Sequence, residues 1–261
     1  MLRRVRRAAR RRRKGSAVER HEYEQLHQLE DRMWWFAGLH ANLLTMLRRM
    51  PRTSIGQLLD AGCGTGGLLR KLNAEFPEWH AAGIDADEGA CSYAASEEGA
   101  LVCAGSVNQM PFADNCFAAI ISADVLYHRN VDEGRALNEF RRCLRPGGVL
   151  VLNVPAYQWL YSAHDRSVHA ERRYTRTGLE RLLRDAGFSE IASTYWNTFL
   201  FPLMVLRRVL TRNQTGGDVI QYPAVIDRAF RGVMRMEGAL LERGMRMPFG
   251  GSVLAAAVKK P

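Results

Sequence analysis

The chain has 261 residues, 47% of them hydrophobic and 25% charged, a composition that supplies a packed core and excludes a disordered or fibrous protein. No apolar run approaches the roughly 18–20 residues that a membrane-spanning helix requires, since the longest candidate, residues 199–206, contains Pro202. The net charge of +10 is concentrated in residues 1–14, which hold nine basic and no acidic side chains and leave 28 bases against 27 acids elsewhere.

The basic segment at residues 1–14 is followed by no apolar stretch, which argues against a secretory signal. Such runs are usually solvated, and we expect a disordered basic tail over residues 1–18. A peripheral contact with an anionic membrane is one expectation, because clustered basic side chains gain roughly 1 kcal/mol each near such a surface. Nucleic acid is the less favoured partner. The five cysteines form no CxxC pair, which argues against disulfides or structural zinc and indicates a cytoplasmic protein.

The next segment, from Glu19 to Met50, has apolar residues at helical spacing and ends before Pro51, which predicts a helix. After it, apolar runs predict strands at 57–61, 80–84, 101–104, 118–122 and 149–154, and helices at 68–76, 88–97 and 130–144. The strands are continuous apolar runs, as in a parallel sheet covered on both faces. Alternation of strands with helices indicates a Rossmann-like, doubly wound α/β fold.

The C-terminal third predicts a helix that begins with a capping box between Thr177 and Glu180 and stops at Gly187. Further strands are predicted at about 189–196 and 252–258, with helices at about 199–212 and 223–246 between them. The predicted organisation is therefore a basic tail (1–18), N-terminal lid helices (19–50) and one α/β domain (51–261) with a helical insertion at 198–247.

The strongest chemical signal is the glycine-rich turn after the first strand, LDAGCGTGG at 59–67. Gly62, Gly64 and Gly66 let the backbone turn sharply and let a ligand approach the main chain, and the following helix offers free N–H groups. The same turn also satisfies the dinucleotide pattern GxGxxG, so a nicotinamide dehydrogenase is an alternative. Asp60 argues against it, because a carboxylate at that point would accept a hydrogen bond from an ammonium group and would repel a pyrophosphate.

Four segments occur in a characteristic order: LLDAGCGTGGLL (58–69), GIDAD (83–87), GSVNQMPFADNCFAAIISADVLYH (105–128) and LRPGGVLVLNVP (144–155). On these motifs the chain resembles the class I S-adenosylmethionine-dependent methyltransferases of the methyltransferase-11 type. Flanking motifs resemble a bacterial subgroup associated with sugar, lipid or natural-product pathways: MWWF (33–36), AYQWLYSAHD (156–165), RRYT (172–175), NTFLFP (197–202) and PFGGSVLA (248–255).

The resemblance implies a seven-stranded sheet with an antiparallel last strand, and S-adenosylmethionine bound over the carboxyl ends of the strands. Asp60 and the glycine turn would hold its methionine part, and Asp85 with Ala86 would hold the ribose. The adenine would meet Ser106 and Val107, and Ala123 would line the floor near the sulfonium.

The sequence departs from the family pattern twice. Ser106 stands where an Asp usually holds the adenine amino group, and Phe117-Ala118 replaces the usual Phe-Asp. We expect weaker cofactor binding, because the contact loses its charge assistance. A non-catalytic protein that binds the cofactor, or a scaffold, is therefore an alternative. A nucleic-acid base methyltransferase would show N/D-P-P-Y/F after the fourth strand, where Ser122-Ala123-Asp124-Val125 stands instead.

Methyl transfer by in-line displacement needs alignment, and an oxygen acceptor also needs a base. The candidate catalytic bases are His128 and His164, and for each the alternative is a structural histidine. Asp124 and His128 at i, i+4 would share a helical face, but no second carboxylate is near and we expect no metal.

The substrate pocket is expected to lie between three segments outside the sheet: the Trp34-Trp35-Phe36 helix, the 156–175 loop and the 198–247 insertion. Candidate substrate contacts are Trp34, Trp35, Tyr157 and Tyr174. The apolar insertion suggests an acceptor with a lipid, prenyl or aromatic part. The helices of the insertion are amphipathic. Their apolar face is expected either to pack on the domain or to contact a membrane surface.

Overall fold

The computed structural model describes residues 23–24, 27–28, 30, 33–50, 56–98, 100–210 and 222–260. Seven strands form one sheet: β1 (Gln57–Ala61), β2 (His80–Asp85), β3 (Leu101–Ala104), β4 (Phe117–Ala123), β5 (Leu144–Pro155), β6 (Phe188–Trp196) and β7 (Ser252–Lys259). Their order is β3-β2-β1-β4-β5-β7-β6. The first five strands are parallel, and β7 runs antiparallel to both β5 and β6. The predicted doubly wound sheet with an antiparallel last strand is confirmed.

The helices that cover the sheet are α1 (Trp34–Arg49), α2 (Gly67–Glu75), α3 (Glu88–Glu98), α4 (Glu133–Cys143), α5 (Ala163–Ser167), α6 (Arg176–Asp185), α7 (Phe201–Leu210) and α8 (Ala224–Glu242). A single 3-10 turn spans Gln158–Leu160. Helices on both faces explain why the strands are apolar without alternation. In β4, for example, every residue except the last is buried.

Several element boundaries differ from the sequence-based prediction. The predicted helix 19–50 is interrupted at Met33, whose backbone is extended, and α1 begins only at Trp34. The predicted capping box at Thr177 was wrong, because Thr175 accepts the hydrogen bond from the Gly178 N–H and α6 begins at Arg176. In the same way α4 begins at Glu133, since Asp132 caps it. β5 begins at Leu144, earlier than the predicted 149.

Helix α8 ties the C-terminal insertion to α1. The Asp227 carboxylate accepts a hydrogen bond from the Trp34 N–H at 3.0 Å, which supplies the N-terminal cap that Met33 cannot. A Cβ on Gly38 would lie 3.2 Å from the Met234 side chain, so the two helices pack closely. Further along α8, the buried Glu237 accepts from the Thr198 N–H at 2.8 Å. The insertion is therefore held over α1 and the end of β6.

The basic tail and the stretch at 211–221 lie outside the described residues. Within the described ranges, no helix is long and apolar enough to cross a membrane. All five cysteines are free thiols.

Candidate functional site

The glycine turn joins β1 to α2 through three residues with positive φ: 97° at Gly62, 51° at Gly64 and 88° at Gly66. Residues with a side chain rarely adopt a positive φ, so each of these positions favours glycine. A Cβ on Gly62 would also stand 2.1 Å from Val125 Cγ2. The turn is therefore confined between the loop that follows β4 and the start of α2, and it presents its main chain at the carboxyl edge of the sheet.

Asp60, at the end of β1, is 1% exposed, and its Oδ2 accepts no hydrogen bond from any described residue. Burial raises the pKa of Asp60 to about 8, and the nearby Glu30 and Asp85 carboxylates add to the shift. Asp60 is a buried carboxyl group with an unpaired oxygen and with other acids nearby, and a cationic hydrogen-bond donor would stabilise it. An amino-acid ammonium group placed there would fit these residues, whereas a phosphate would not.

Asp85, at the end of β2, is half-buried and already holds two loops. Its Oδ2 accepts from the Gly64 N–H at 2.9 Å and its Oδ1 accepts from the Asp87 N–H at 2.9 Å. Each carboxylate oxygen has a second lone pair, so the side chain can still accept from two hydroxyl groups of a ligand. The Gly105 N–H donates to the Asp85 carbonyl at 2.8 Å. The loops after β1, β2 and β3 are therefore joined around this one residue.

The third loop carries the two residues predicted to meet an adenine. Val107 is buried, and Ser106 is exposed with its hydroxyl accepting from the Asn108 N–H at 3.2 Å. Ala86, predicted to flank the ribose, is exposed beside Asp85. Across the ends of β1, β2 and β3, Asp60 therefore lies at one end, Asp85 in the middle and the apolar Val107 at the other end.

The segment before α1 lies against these loops. The Tyr23 hydroxyl donates to Asp87 Oδ1 at 2.9 Å, and the Thr65 hydroxyl donates to Glu30 Oε2 at 2.8 Å. The His27 ring packs on Tyr93 with centroids 5.2 Å apart. Sequence reasoning missed Glu30, because helical periodicity says nothing of which distant loop a polar side chain reaches.

A cavity of about 230 Å³ adjoins the loop after β4. It is lined by the three segments expected to form a pocket, together with the ends of β5 and β7. The apolar lining includes Trp34, Trp35, Phe36, Leu200, Met204 and Phe230. The polar lining includes Asp124, His164, Asp165, Arg173 and Arg207. The arrangement suits a molecule that is mostly apolar and carries a few polar groups.

A buried ion pair forms part of the cavity wall. Arg173 Nη2 lies 2.7 Å from Asp165 Oδ1, and both side chains are 4% exposed. Arg208 Nη1 lies 3.5 Å from the other oxygen of Asp165. Asp165 also closes the capping box of α5 with Ser162. With both oxygens engaged, Asp165 fixes the wall of the cavity.

Asp124 follows β4 with φ +55° and turns its side chain into the cavity. Asn153 Nδ2 donates to Asp124 Oδ1 at 3.0 Å. Burial raises the pKa of Asp124 to about 7, although the Asn153 hydrogen bond and the Arg173 charge oppose the shift. Residues 124–128 form a bend and turns, so the helical face assumed for Asp124 and His128 was wrong. No group of three metal-binding side chains occurs among the described residues.

The two predicted histidines have different surroundings. His164 lines the cavity. His128 is absent from the described cavity lining, and its ring stacks on Tyr127 with centroids 4.4 Å apart. Burial lowers the pKa of His128, and hydrogen bonds to the backbone at Val168 and Asp124 partly offset that effect. His128 is therefore a packed, mainly neutral ring behind the site.

Trp34 and Trp35, two of the predicted substrate contacts, line the cavity, whereas the two tyrosines do not belong to its described lining. Tyr174 is buried, and its hydroxyl donates to Glu133 Oε1 at 2.5 Å and lies 3.1 Å from the Leu126 carbonyl oxygen. Tyr157 stacks on Tyr195 with centroids 5.2 Å apart. Neither of these two predicted contacts therefore lies on the described cavity surface.

Comparison with known proteins places this arrangement in context. Residues 59–152, from β1 into β5, match a family model described as a methyltransferase domain. The malonyl-acyl-carrier-protein O-methyltransferase of Dechloromonas aromatica (strain RCB) is 35% identical over 103 residues, which are 40% of this chain and 38% of that protein. The probable tRNA methyltransferase 9B of Homo sapiens is 32% identical over 176 residues, which are 65% of this chain and 36% of that protein.

A solved structure of geranyl diphosphate C-methyltransferase from Streptomyces coelicolor A3(2), with Mg²⁺, geranyl diphosphate and S-adenosyl-L-homocysteine, has a TM-score of 0.58 and 18% identity. The alignment covers 97% of this chain and 87% of that chain. It shows a shared fold. The chain spans well under half the length of each of these two curated relatives.

Proposed function

This chain contains a class I S-adenosylmethionine-dependent methyltransferase domain, and from that premise we propose that it transfers a methyl group to a small-molecule or lipid- or prenyl-linked acceptor. The position of the cavity carries the proposal. The largely apolar cavity opens beside Asp124, directly after β4, the strand whose end would form the floor of the cofactor site. The loops that would bind the cofactor lie on the other side of the same strand, over β1–β3.

The cofactor supplies an electrophilic methyl group on a sulfonium. The chain's own residues would bind and orient it. Asp60 would accept a hydrogen bond from the ammonium group, which supplies the donor that its Oδ2 lacks. Asp85 would accept from the ribose hydroxyls, and the Val107 backbone would meet the adenine. The glycine turn would approach the methionine part without side chains in the way.

The cavity lining supports the proposed acceptor class. Aromatic and aliphatic side chains on α1, α7 and α8 form one wall, so an apolar body would be desolvated there. A nucleic-acid strand would require a cationic groove that follows phosphates, and the cavity instead pairs its buried Arg173 with Asp165. The human relative's name refers to tRNA, so tRNA belongs in the test as a competing acceptor.

The same proposal includes a peripheral contact with an anionic membrane. Leu203 and Leu206 on α7 are 51% and 56% exposed, and Leu203 also lines the cavity. An apolar edge at the mouth of the cavity would let a lipid-linked acceptor enter from a bilayer, and the basic residues 1–14 would add attraction. Sedimentation with anionic vesicles should pull down the full chain and less of a variant that starts at Gly15. Equal binding by both would exclude the tail.

The test of the function uses S-adenosylmethionine with a tritiated methyl group and separate pools of prenyl alcohols, prenylated phenols, fatty acids, malonyl-acyl-carrier protein and tRNA. We expect label in an apolar acceptor, and its loss in Asp60→Asn. Label in tRNA alone would contradict the acceptor class. Tight cofactor binding without label in any pool would favour the alternative, a non-catalytic cofactor-binding or scaffold protein.

A further inference from the structure

A chain of buried hydrogen bonds links three strands to the cavity. The Trp196 Nε1–H, at the end of β6, donates to Asn153 Oδ1 at 2.7 Å. Asn153 Nδ2, in β5, donates to Asp124 Oδ1 at 3.0 Å. Trp196 and Asn153 are both fully buried. Polar groups are costly to bury unless they are paired, so this chain is a feature that an ordinary apolar core would lack.

The orientation of the Asn153 amide is determined by chemistry. An indole N–H can only donate, so the oxygen of the amide must face Trp196. The NH₂ group of the amide must then face Asp124, and the carboxylate there is the acceptor. The Asp124 N–H also donates to the Asn153 carbonyl at 2.9 Å. Two hydrogen bonds with Asn153, one accepted and one donated by Asp124, therefore hold Asp124 in its left-handed backbone conformation.

Asn153 therefore fixes one carboxylate oxygen of Asp124 and leaves the other to accept a hydrogen bond from a bound molecule. Oδ1 is occupied by Asn153, whereas no described residue is seen to donate to Oδ2. The side chain lines the cavity. Burial raises the pKa of Asp124 to about 7, so near neutral pH the group can both take up and release a proton.

We propose that Asp124 is the proton acceptor for the molecule that is methylated, and that Asn153 and Trp196 are positioning residues that aim it. The inference rests on the proposed function. An acceptor hydroxyl gives its proton to Asp124 Oδ2, and an oxygen lone pair forms the new bond to the methyl carbon. The carbon–sulfur bond of S-adenosylmethionine breaks with its electron pair moving to sulfur. Asp124 later releases the proton to water.

Two other candidates near the cavity, Asp165 and His128, are less suited to this role, whereas His164 also lines the cavity and is the competing candidate. Both carboxylate oxygens of Asp165 are engaged by the guanidinium groups of Arg173 and Arg208, so they face these partners and not an acceptor. His128 is absent from the described lining. The proposal therefore favours an acceptor with a hydroxyl group, phenolic or alcoholic, on an apolar scaffold.

The first test needs no acceptor. In the full chain labelled at the aspartate Cγ with ¹³C, two resonances should titrate between about pH 7 and 8, those of Asp124 and Asp60. The one near pH 7 should disappear in Asp124→Asn and remain in Asp60→Asn. Asn153→Leu removes a hydrogen bond to the ionised form, so it should shift that titration upward. A titration of Asp124 below about pH 5, typical of an ordinary carboxylate, would overturn the proposal.

The second test uses the acceptor pool that takes up label. Asp124→Asn should lower kcat by about 10²-fold or more while the Kd for S-adenosylmethionine changes less than twofold. Trp196→Phe should lower kcat by less. Asp114→Asn, on an exposed carboxylate, should behave as wild type. Wild-type kcat in Asp124→Asn would overturn the assignment, whereas a wild-type chain that binds no S-adenosylmethionine would instead contradict the proposed function.

Discussion

Gly62 lies directly against Val125: a Cβ on residue 62 would stand 2.1 Å from Val125 Cγ2. The contact joins the turn after β1 to the loop after β4, which are neighbouring strands of the sheet. The turn that would bind the cofactor and the loop that carries Asp124 into the acceptor cavity therefore share one close contact. Both halves of the site depend on the absence of a side chain at this position.

We predict that Gly62→Ala lowers the free energy of unfolding by about 1–3 kcal/mol, because it adds overpacking to a strained backbone with φ 97°. Urea unfolding would measure the change. Adding Val125→Ala should restore part of the loss by removing the collision. The control is Gly232→Ala in α8, where a Cβ meets nothing within 4 Å and should gain roughly 0.5–1 kcal/mol. An unchanged stability in Gly62→Ala would contradict the geometry of the turn.

We predict that Asp60→Asn becomes more stable relative to wild type as the pH rises from 5 to 8. The pKa of Asp60 is about 8 in the folded chain and about 4 in an unfolded one. Folding therefore favours the protonated form, and the associated stability is complete below about pH 4 and is lost as the pH rises toward 8. Thermal unfolding of the two proteins across this range would measure the difference, and parallel curves would contradict it.

The strands could be predicted from the sequence because a sheet covered on both faces needs uninterrupted apolar runs, and the run at 118–122 fell inside β4. Helix starts were less accurate. Thr175 and Thr177 are both plausible caps in the sequence, and only the position of the Gly178 N–H distinguishes them. The break at Met33 depends on Asp227, nearly two hundred residues away.

The sequence predicts which loops bind the cofactor because their acids and glycines end consecutive strands, and the structure brings these loops together around Asp85. For the acceptor pocket, the sequence predicts only which segments should surround it. The link between Trp196, Asn153 and Asp124 depends on strand register, since Trp196 and Asn153 both lie across from the start of β7. Periodicity cannot show such a contact, and Asp124 was therefore considered only as a metal ligand with His128.

We predict that Met204→Trp blocks the acceptor cavity without affecting the cofactor. Met204 lines the cavity from α7, so a larger ring would fill that volume. The KM for an apolar acceptor should rise at least about tenfold, which corresponds to a loss of roughly 1.4 kcal/mol of binding free energy. The Kd for S-adenosylmethionine should stay the same. Leu206→Trp on the same helix is the matched control, because Leu206 is 56% exposed and is absent from the described lining. Equal effects of the two variants would exclude the cavity as the acceptor site.

Calorimetric titration of the full chain with S-adenosylmethionine tests the central claim most directly. We predict one cofactor molecule bound per chain, and binding that is weaker by about 1–3 kcal/mol in Asp85→Ala, the scale of a lost charge-assisted hydrogen bond. Asp114→Ala, on a carboxylate whose side chain is 70% exposed, should bind as wild type does. An unchanged dissociation constant in Asp85→Ala, or no binding by the wild-type chain, would contradict the assignment of this site.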